Sequence, residues 1–513
     1  MIGTREKKRR AGPYLSILLL ASLLAGCSGG NNAGTPAASS GDSQGGSPEE
    51  AAAVELKELS LMNVYFTTEP PREDNAALKA MEEYTGTKLN ITWVPGTAYT
   101  EKTNVTLASG TLPQVIMVNN MDIKTPSFVS AVRSGMFWEV GPYLGNYPNL
   151  SQKSAVAETN MSIDGKVYGI FRGRVLSRNG IVFRKDWLDK LGLQEPKTID
   201  DFYEMLKAFV TQDPDGNGKP DTIGLGVDKT YDIVSKDLKA WFGAPNGWEM
   251  KDGVMTPDFM APEYMDAMNF MKKLYDEKLI NTDFPVTQYQ KDLLNKGNTG
   301  ALITSMGNTL DGSFTALMQA DPNVKLDFVR TLEGPKGERA ASGPGYHGVF
   351  MFPRSSVKTE EELLAILDYF DKISSDEMNF LLDWGIEGRH HQMVDGKPEL
   401  IDAELFTQEV NPIKQMKTYD GSIVGEGTPE GQKLADSYAA NEQIIVSDDS
   451  LPLTSNTFAE KGNDLKKIIN DAEIKYIFGE NDLAGWQAAI EQWKAQGGDQ
   501  VMQEFSEEYQ KLQ

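Results

Sequence analysis

The densest run of chemistry-bearing residues is Asp213-Pro-Asp215-Gly-Asn217-Gly218-Lys219-Pro-Asp221-Thr222. Oxygen-bearing side chains recur at loop positions 1, 3, 5 and 9, and glycine stands at position 6. A hard cation takes roughly six to eight oxygens, alternate side chains can wrap it, and glycine permits the sharp turn this needs. Asp213, Asp215, Asn217 and Asp221 would donate side-chain oxygens and Lys219 its carbonyl, so the loop is a candidate structural Ca²⁺ site. It departs from a complete EF-hand at position 12, where Gly224 stands instead of a bidentate glutamate, and a strand-like stretch, 222–227, follows it. Material for covalent or relay chemistry is thin. One cysteine, Cys27, excludes a disulfide scaffold, and the histidines are His347, His390 and His391. Gly41-Asp42-Ser43-Gln44-Gly45 has the G-x-S-x-G spacing but neither the strand nor the helix that a nucleophile elbow requires.

The rest of the chain must hold these residues in place. It has 513 residues, 50 basic and 74 acidic, for a formal charge of −24, with 40% hydrophobic side chains. That is enough apolar material for two large lobes, and the acidic balance argues against nucleic acid as a partner. Residues 1–27 read as a basic head followed by a short apolar run, too short to span a bilayer permanently but of signal-peptide length. Leu24-Ala25-Gly26-Cys27 resembles the lipobox of bacterial lipoproteins. The resemblance implies cleavage before Cys27, a diacylglycerol on its thiol, and a membrane anchor on the extracellular face. Residues 1–26 are then the signal peptide. Residues 27–56 comprise the lipidated cysteine and a Gly/Ser-rich flexible linker. Removing 26 residues leaves 487 and a balance of −28.

From residue 57 the pattern alternates strands and helices. Leu59–Phe66, Leu89–Val94 and Gln114–Val118 are strand-like, with a helix over Asn75–Tyr84 and a helix end at Asn104–Ser109. Later come strands at Val167–Ile170, Ile181–Phe183 and Thr299–Thr304. Helices are expected at Thr198–Val210, Pro262–Leu279, Glu360–Ile373, Asp482–Gln496 and Asp499–Leu512. Thr198-x-x-Asp201 has capping-box spacing, and Asp164-Gly165, Asp252-Gly253 and Asp395-Gly396 mark tight turns. The β-α-β-α-β order predicts an α/β fold with a mainly parallel sheet between helices.

Five segments then carry a family likeness: LASGTLPQVIMV (107–118), DGKVYGIFR (164–172), IVFRKDWLDKLGL…PKTIDDFYEMLKAF (181–209), NKGNTGALI (295–303) and WGIEGRHHQMVDGK (384–397). Together they resemble the family 1 extracellular solute-binding lipoproteins of Gram-positive ABC importers, including alginate- and oligosaccharide-binding members. The resemblance implies a two-lobed, periplasmic-binding-protein-like (type II) fold with a hinge and an interlobe cleft. Lobe one would comprise 57–180 plus 340–410, and lobe two 181–339 plus 411–513. It also implies a monomer without enzymatic activity that delivers a carbohydrate to permease subunits. In the alginate-binding relatives the residue after the last loop aspartate can also ligate calcium, which here adds Thr222.

For a sugar cleft the expected lining is aromatic faces with charged or amide groups on hydroxyls. Trp241 and Trp384 stand beside glycine-rich turns and are the stacking candidates. Tyr65 at a strand end, Arg172, Tyr346-His347, and Glu387 with Arg389 are the remaining candidates, whereas Trp138, Trp187, Trp486 and Trp493 read as packing residues. The competing readings are a membrane-anchored glycoside hydrolase or polysaccharide lyase, and a surface sensor of the same fold without transport. No local carboxylate pattern singles out the enzyme.

Overall fold

The structure, a computed structural model, describes residues 55–67, 69–151, 154–229, 232–418 and 428–512. The signal peptide, Cys27 and most of the linker lie outside the described residues. Two open sheets organise the rest. The strands are β1 (Glu58–Tyr65), β2 (Lys88–Pro95), β3 (Val115–Asn119), β4 (Gly169–Gly173), β5 (Asn179–Arg184), β6 (Ile223–Gly226), β7 (Thr299–Ser305), β8 (Leu326–Val329) and β9 (Tyr346–Met351). The first sheet has the order β2-β1-β3-β9-β4 and the second β8-β5-β7-β6.

Strand β3 reads Val-Ile-Met-Val before Asn119, and all four apolar residues are buried. An uninterrupted apolar run of this kind needs cover on both faces, which parallel crossovers supply with helices. β1 pairs in parallel with β2 and β3, as the sequence predicts. The expectation of a mainly parallel sheet fails at its far side, because β9 runs antiparallel to both β3 and β4. In the second sheet β5 is antiparallel to β7 and β8. The reason is connectivity: each of these strands enters its sheet from the other lobe, and so arrives at the edge where its neighbours end.

Local signals fix the helices. Thr198 accepts from the Asp201 N–H while the Asp201 carboxylate accepts from the Thr198 N–H, starting the helix Ile199–Thr211. The same reciprocal cap between Thr359 and Glu362 starts Glu360–Ile373, with Glu360 and Glu361 favouring the positive end of its dipole. Asp252 and Gly253, with φ of 52° and 83°, turn a hairpin, as do Asp395 and Gly396 with 51° and 77°. Asp164-Gly165 closes a single bridge between Ile163 and Lys166.

Separate apolar cores fill the lobes. The first takes Leu59, Val64, Ile116, Val118, Phe171, Phe350, Leu367 and Phe370. The second packs Ile181, Phe183, Phe202, Leu206, Phe209 and Ile303. A third gathers Trp248, Trp486, Trp493 and Phe505 between the helices Asn456–Ile477, Leu483–Trp493 and Asp499–Leu512. Each fully buried large side chain contributes about 1.5–3 kcal/mol by leaving water. Val410, Ile413 and Met416 belong to the first core, so its packing runs past residue 410, where the sequence reading passes the chain to lobe two. Among the described residues no helix is long and apolar enough to cross a membrane.

Candidate functional site

Strand directions locate the site. In the first sheet β1, β3 and β4 end, and β9 begins, along one edge, which carries Tyr65–Phe66, Asn119–Met121, Gly173 and Tyr346–His347. In the second sheet β6, β7 and β8 end, and β5 begins, along one edge, which carries Asp228, Ser305, Arg330 and Arg178–Asn179. Residues 174–178 link β4 to β5, and residues 330–345 link β8 to β9. Both crossings therefore join one edge to the other. At full extension the first spans about 20 Å from Gly173 to Asn179, so the edges face each other at close range. The crossings are bonded side by side: Gly343 N donates to Leu176 O at 2.6 Å and Arg174 N to Gly345 O at 2.9 Å. Gly345 is required there, since it has φ of 81° and a Cβ would lie 2.9 Å from Leu176 Cδ2. At the same edge Gly173 N donates to Thr418 O at 2.9 Å.

Large apolar side chains stand exposed at these edges. Phe66 is 61% exposed just beyond β1, with its ring 6.2 Å from that of His347, and Met121 is 84% exposed just beyond β3. On the opposite lobe Asn281 clamps Val227 at the end of β6 through bonds of 2.8 and 3.0 Å. The loop it opens presents Val286 and Tyr289, both more than two-thirds exposed. Single exposed apolar groups are common on protein surfaces, so what distinguishes these is their place beside the strand ends that the crossings join. Phe66, Met121 and Tyr289 escaped sequence reading because a single exposed apolar side chain has no periodic signature. Only strand direction brings them to facing edges.

The sequence candidates fare unequally. Trp241 is 1% exposed in the second core, edge-on to Phe202, so it packs the lobe and its face is not offered to a ligand. Arg172 is likewise buried, donating to Gln415 Oε1 at 2.6 Å inside lobe one. Tyr346 is buried, and burial raises its phenol far above the usual range. For Trp241 and Tyr346 the cause is shared, since glycine-rich neighbours mark turns and close packing as readily as binding loops. The expectation for Arg172 rests on its place after a strand, and it lies within β4 with its side chain turned into the lobe. His347 and Tyr65 are half-buried on the first edge. Trp384 is half-buried at the end of the helix Asp376–Trp384, next to Asp383, which takes Lys417 Nζ at 2.6 Å. Glu387 is exposed, and Arg389 grips Glu409 through bonds of 2.6 and 2.8 Å. Arg389 also lines a pocket of about 1000 Å³ beside Pro70, Pro71 and Leu405, under the loop that leaves β1. His390 Nδ1 accepts from Ile386 N, so its Nε2–H faces Glu409; burial lowers its pKa, and the adjacent histidines serve the local fold.

Three buried ionisable groups close to the crossings are already committed. Lys236 Nζ donates to Ser342 O of the second crossing, and burial lowers its pKa. Asp237, pushed up to about 6 by burial, accepts from Asn179 Nδ2 at 3.0 Å. Asp448 is also raised by burial to about 6 and is held by Ser450. No nucleophile–base pair forms among these groups.

The acidic loop folds on itself. Asn217 Nδ2 stands between Asp215 Oδ2 at 2.7 Å and Asp221 Oδ1 at 3.1 Å, Gly218 N donates to Asp213 Oδ2, and Asp213 Oδ1 receives no hydrogen bond. Among the described residues no group of three or more His, Cys, Asp or Glu side chains converges as a ready metal cage. The Thr222 hydroxyl is buried and donates to Phe209 O at 2.9 Å.

Comparison with known proteins agrees with this architecture. The profile of the bacterial extracellular solute-binding proteins matches residues 67–378. The polygalacturonan/rhamnogalacturonan-binding protein YtcQ of Bacillus subtilis (strain 168) is 39% identical over 96% of this chain and 97% of its own. Lipoprotein LipO of the same organism is 37% identical over 98% and 99%. In fold, the chain resembles the alginate-binding protein AlgQ2 solved without calcium ion, with a TM-score of 0.65 and 20% identity over 89% of this chain and 98% of that one. With that match over most of its length and two facing sheet edges joined by short crossings, the chain belongs to the bacterial extracellular solute-binding protein family.

Proposed function

We propose that this protein is the extracellular receptor of an ABC importer: it captures an oligosaccharide between the facing edges and hands it, chemically unchanged, to the permease. The observation that carries this reading is the set of exposed apolar side chains, Phe66 and Met121 on one edge and Tyr289 on the other lobe, beside the strand ends that the crossings join. A pyranose offers C–H faces to such groups and hydroxyls to the polar backbone and side chains around them. Closure gives the bound solute contacts to both lobes that the open form lacks, which is what drives it. The polygalacturonan and rhamnogalacturonan named for the relative are the first ligands to try. Calorimetry should give one stoichiometric binding event, and mass analysis should recover the saccharide intact. Steady product formation would convict the reading and favour an anchored hydrolase or lyase. The anchor is part of the proposal: Cys27 would carry the diacylglycerol, and mass spectrometry of the processed N-terminus tests it.

The finer reading of the acidic loop is a structural Ca²⁺ held by Asp213, Asp215, Asn217 and Asp221 with the Lys219 carbonyl. The unbonded Asp213 Oδ1 supports it, together with the clustered carboxylates that Asn217 now bridges. A bound cation would neutralise that repulsion and brace the loop between the helix Ile199–Thr211 and β6. Chelator should lower the melting temperature by several degrees, and Asp221→Ala should abolish the response. An unchanged melt in chelator, with no Ca²⁺ retained on dialysis, leaves a purely solvated turn.

A further inference from the structure

Arg178 is an anomaly of charge. The chain carries 74 acidic against 50 basic side chains, and among the described residues its other arginines are engaged. Arg133 is paired with Asp164, Arg184 with Asp186, Arg330 with Glu338 and Arg389 with Glu409. Arg339 donates to Ala244 O, and Arg354 lies over the Trp138 ring at 3.7 Å. Among the described residues, the exposed Arg178 side chain has no hydrogen bond, ion pair or ring contact.

Its backbone, in contrast, is pinned. Arg178 O accepts from Met306 N at 3.0 Å, the preceding Ser177 is buried, and the next residue, Asn179, pairs with Ser305 in the sheet. A rigid root with a free guanidinium, at the lobe-two end of the first crossing, is pre-organised for a group that arrives from outside. The guanidinium is a planar fork that matches a carboxylate through two parallel hydrogen bonds. A uronic acid residue has the complementary shape: an apolar ring face for a group such as Phe66, and a carboxylate at the ring edge.

We infer that Arg178 reads a carboxylate on the captured saccharide, making the cleft selective for uronate-bearing oligosaccharides. This rests on the capture reading above. The full chain is titrated by calorimetry with a galacturonic acid trisaccharide, with its carboxyl-reduced neutral counterpart, and with a panel of neutral oligosaccharides. Wild type should prefer the acid form, and Arg178→Gln should lose about 10–100-fold in affinity for it while binding the reduced form as wild type does. Arg178→Lys should recover part of the loss, since it keeps the charge without the fork. Melting of the unliganded variants separates misfolding from lost recognition. If saccharides bind but the acid form has no advantage, or Arg178→Gln weakens acid and neutral forms alike, the carboxylate role is wrong and capture stands. If no saccharide of either class binds, capture itself fails.

Discussion

At the scale of single residues, the division of labour among aromatics follows burial. Phe66 is open to solvent at the end of β1, whereas Trp241 is sealed among Phe202 and its neighbours. Phe66→Ala should weaken oligosaccharide binding about 5–10-fold by calorimetry and leave the unliganded melt unchanged, given an aromatic contact of about 1 kcal/mol. Trp241→Ala should do the reverse, destabilising lobe two by about 3–5 kcal/mol through the cavity it leaves. A normal melt for Trp241→Ala would contradict its core position. Asp237 supports a second prediction. Its carboxyl is raised to about 6, above the unfolded value near 4, so the protonated form favours the fold. The stabilising contribution is complete below pH 4 and is lost as pH rises through 6. Asp237→Asn keeps an acceptor for Asn179, so its stability advantage over wild type should grow between pH 4 and 7. A difference that is flat with pH would refute the buried-carboxyl account.

At the scale of elements, local chemistry sets the ends and tertiary contact sets the neighbours. The Thr198–Asp201 box closes the first turn of Ile199–Thr211 through bonds between residues three apart in the chain. Thr198→Ala should cost about 1 kcal/mol, read as faster amide exchange in that first turn with later turns still protected. Uniform loss of protection along the helix would mean that the cap does not act locally. The hairpins at Asp252-Gly253 and Asp395-Gly396 are equally local, since both positions need positive φ. β9 and β5 are not. Each reads as an ordinary strand, and each runs antiparallel to its neighbours because of where the chain re-enters.

At the scale of the whole molecule, the lobes also meet away from the crossings. Lys124, in the first lobe, donates through Nζ to Ser162 O of its own lobe and to Pro452 O at 3.1 Å, beside the C-terminal helices. Arg133, paired with Asp164, reaches Thr454 in the same place. Burial lowers the Lys124 ammonium to about 8. Lys124→Met removes the donor and strands two acceptors, a loss of about 1–3 kcal/mol. The closed arrangement should weaken accordingly, giving a larger radius of gyration by X-ray scattering without ligand and several-fold poorer affinity with it. Identical scattering for variant and wild type would show that this contact does not bias closure.

The sequence by itself determined the elements and their alternation. Helix caps, the paired Asp-Gly turns and the apolar runs are local properties, fixed by backbone sterics and side-chain chemistry within a few residues. Five ordered segments carried the likeness to the solute-binding family, and the acidic loop declared its oxygen donors by spacing alone. Tertiary structure decided which edge each strand ends on, and therefore that Phe66, Met121 and Arg178 stand exposed at strand ends while Trp241, Arg172 and Tyr346 are buried. Those positions lie far apart in the chain, and whether a side chain is covered depends on neighbours that no local pattern specifies.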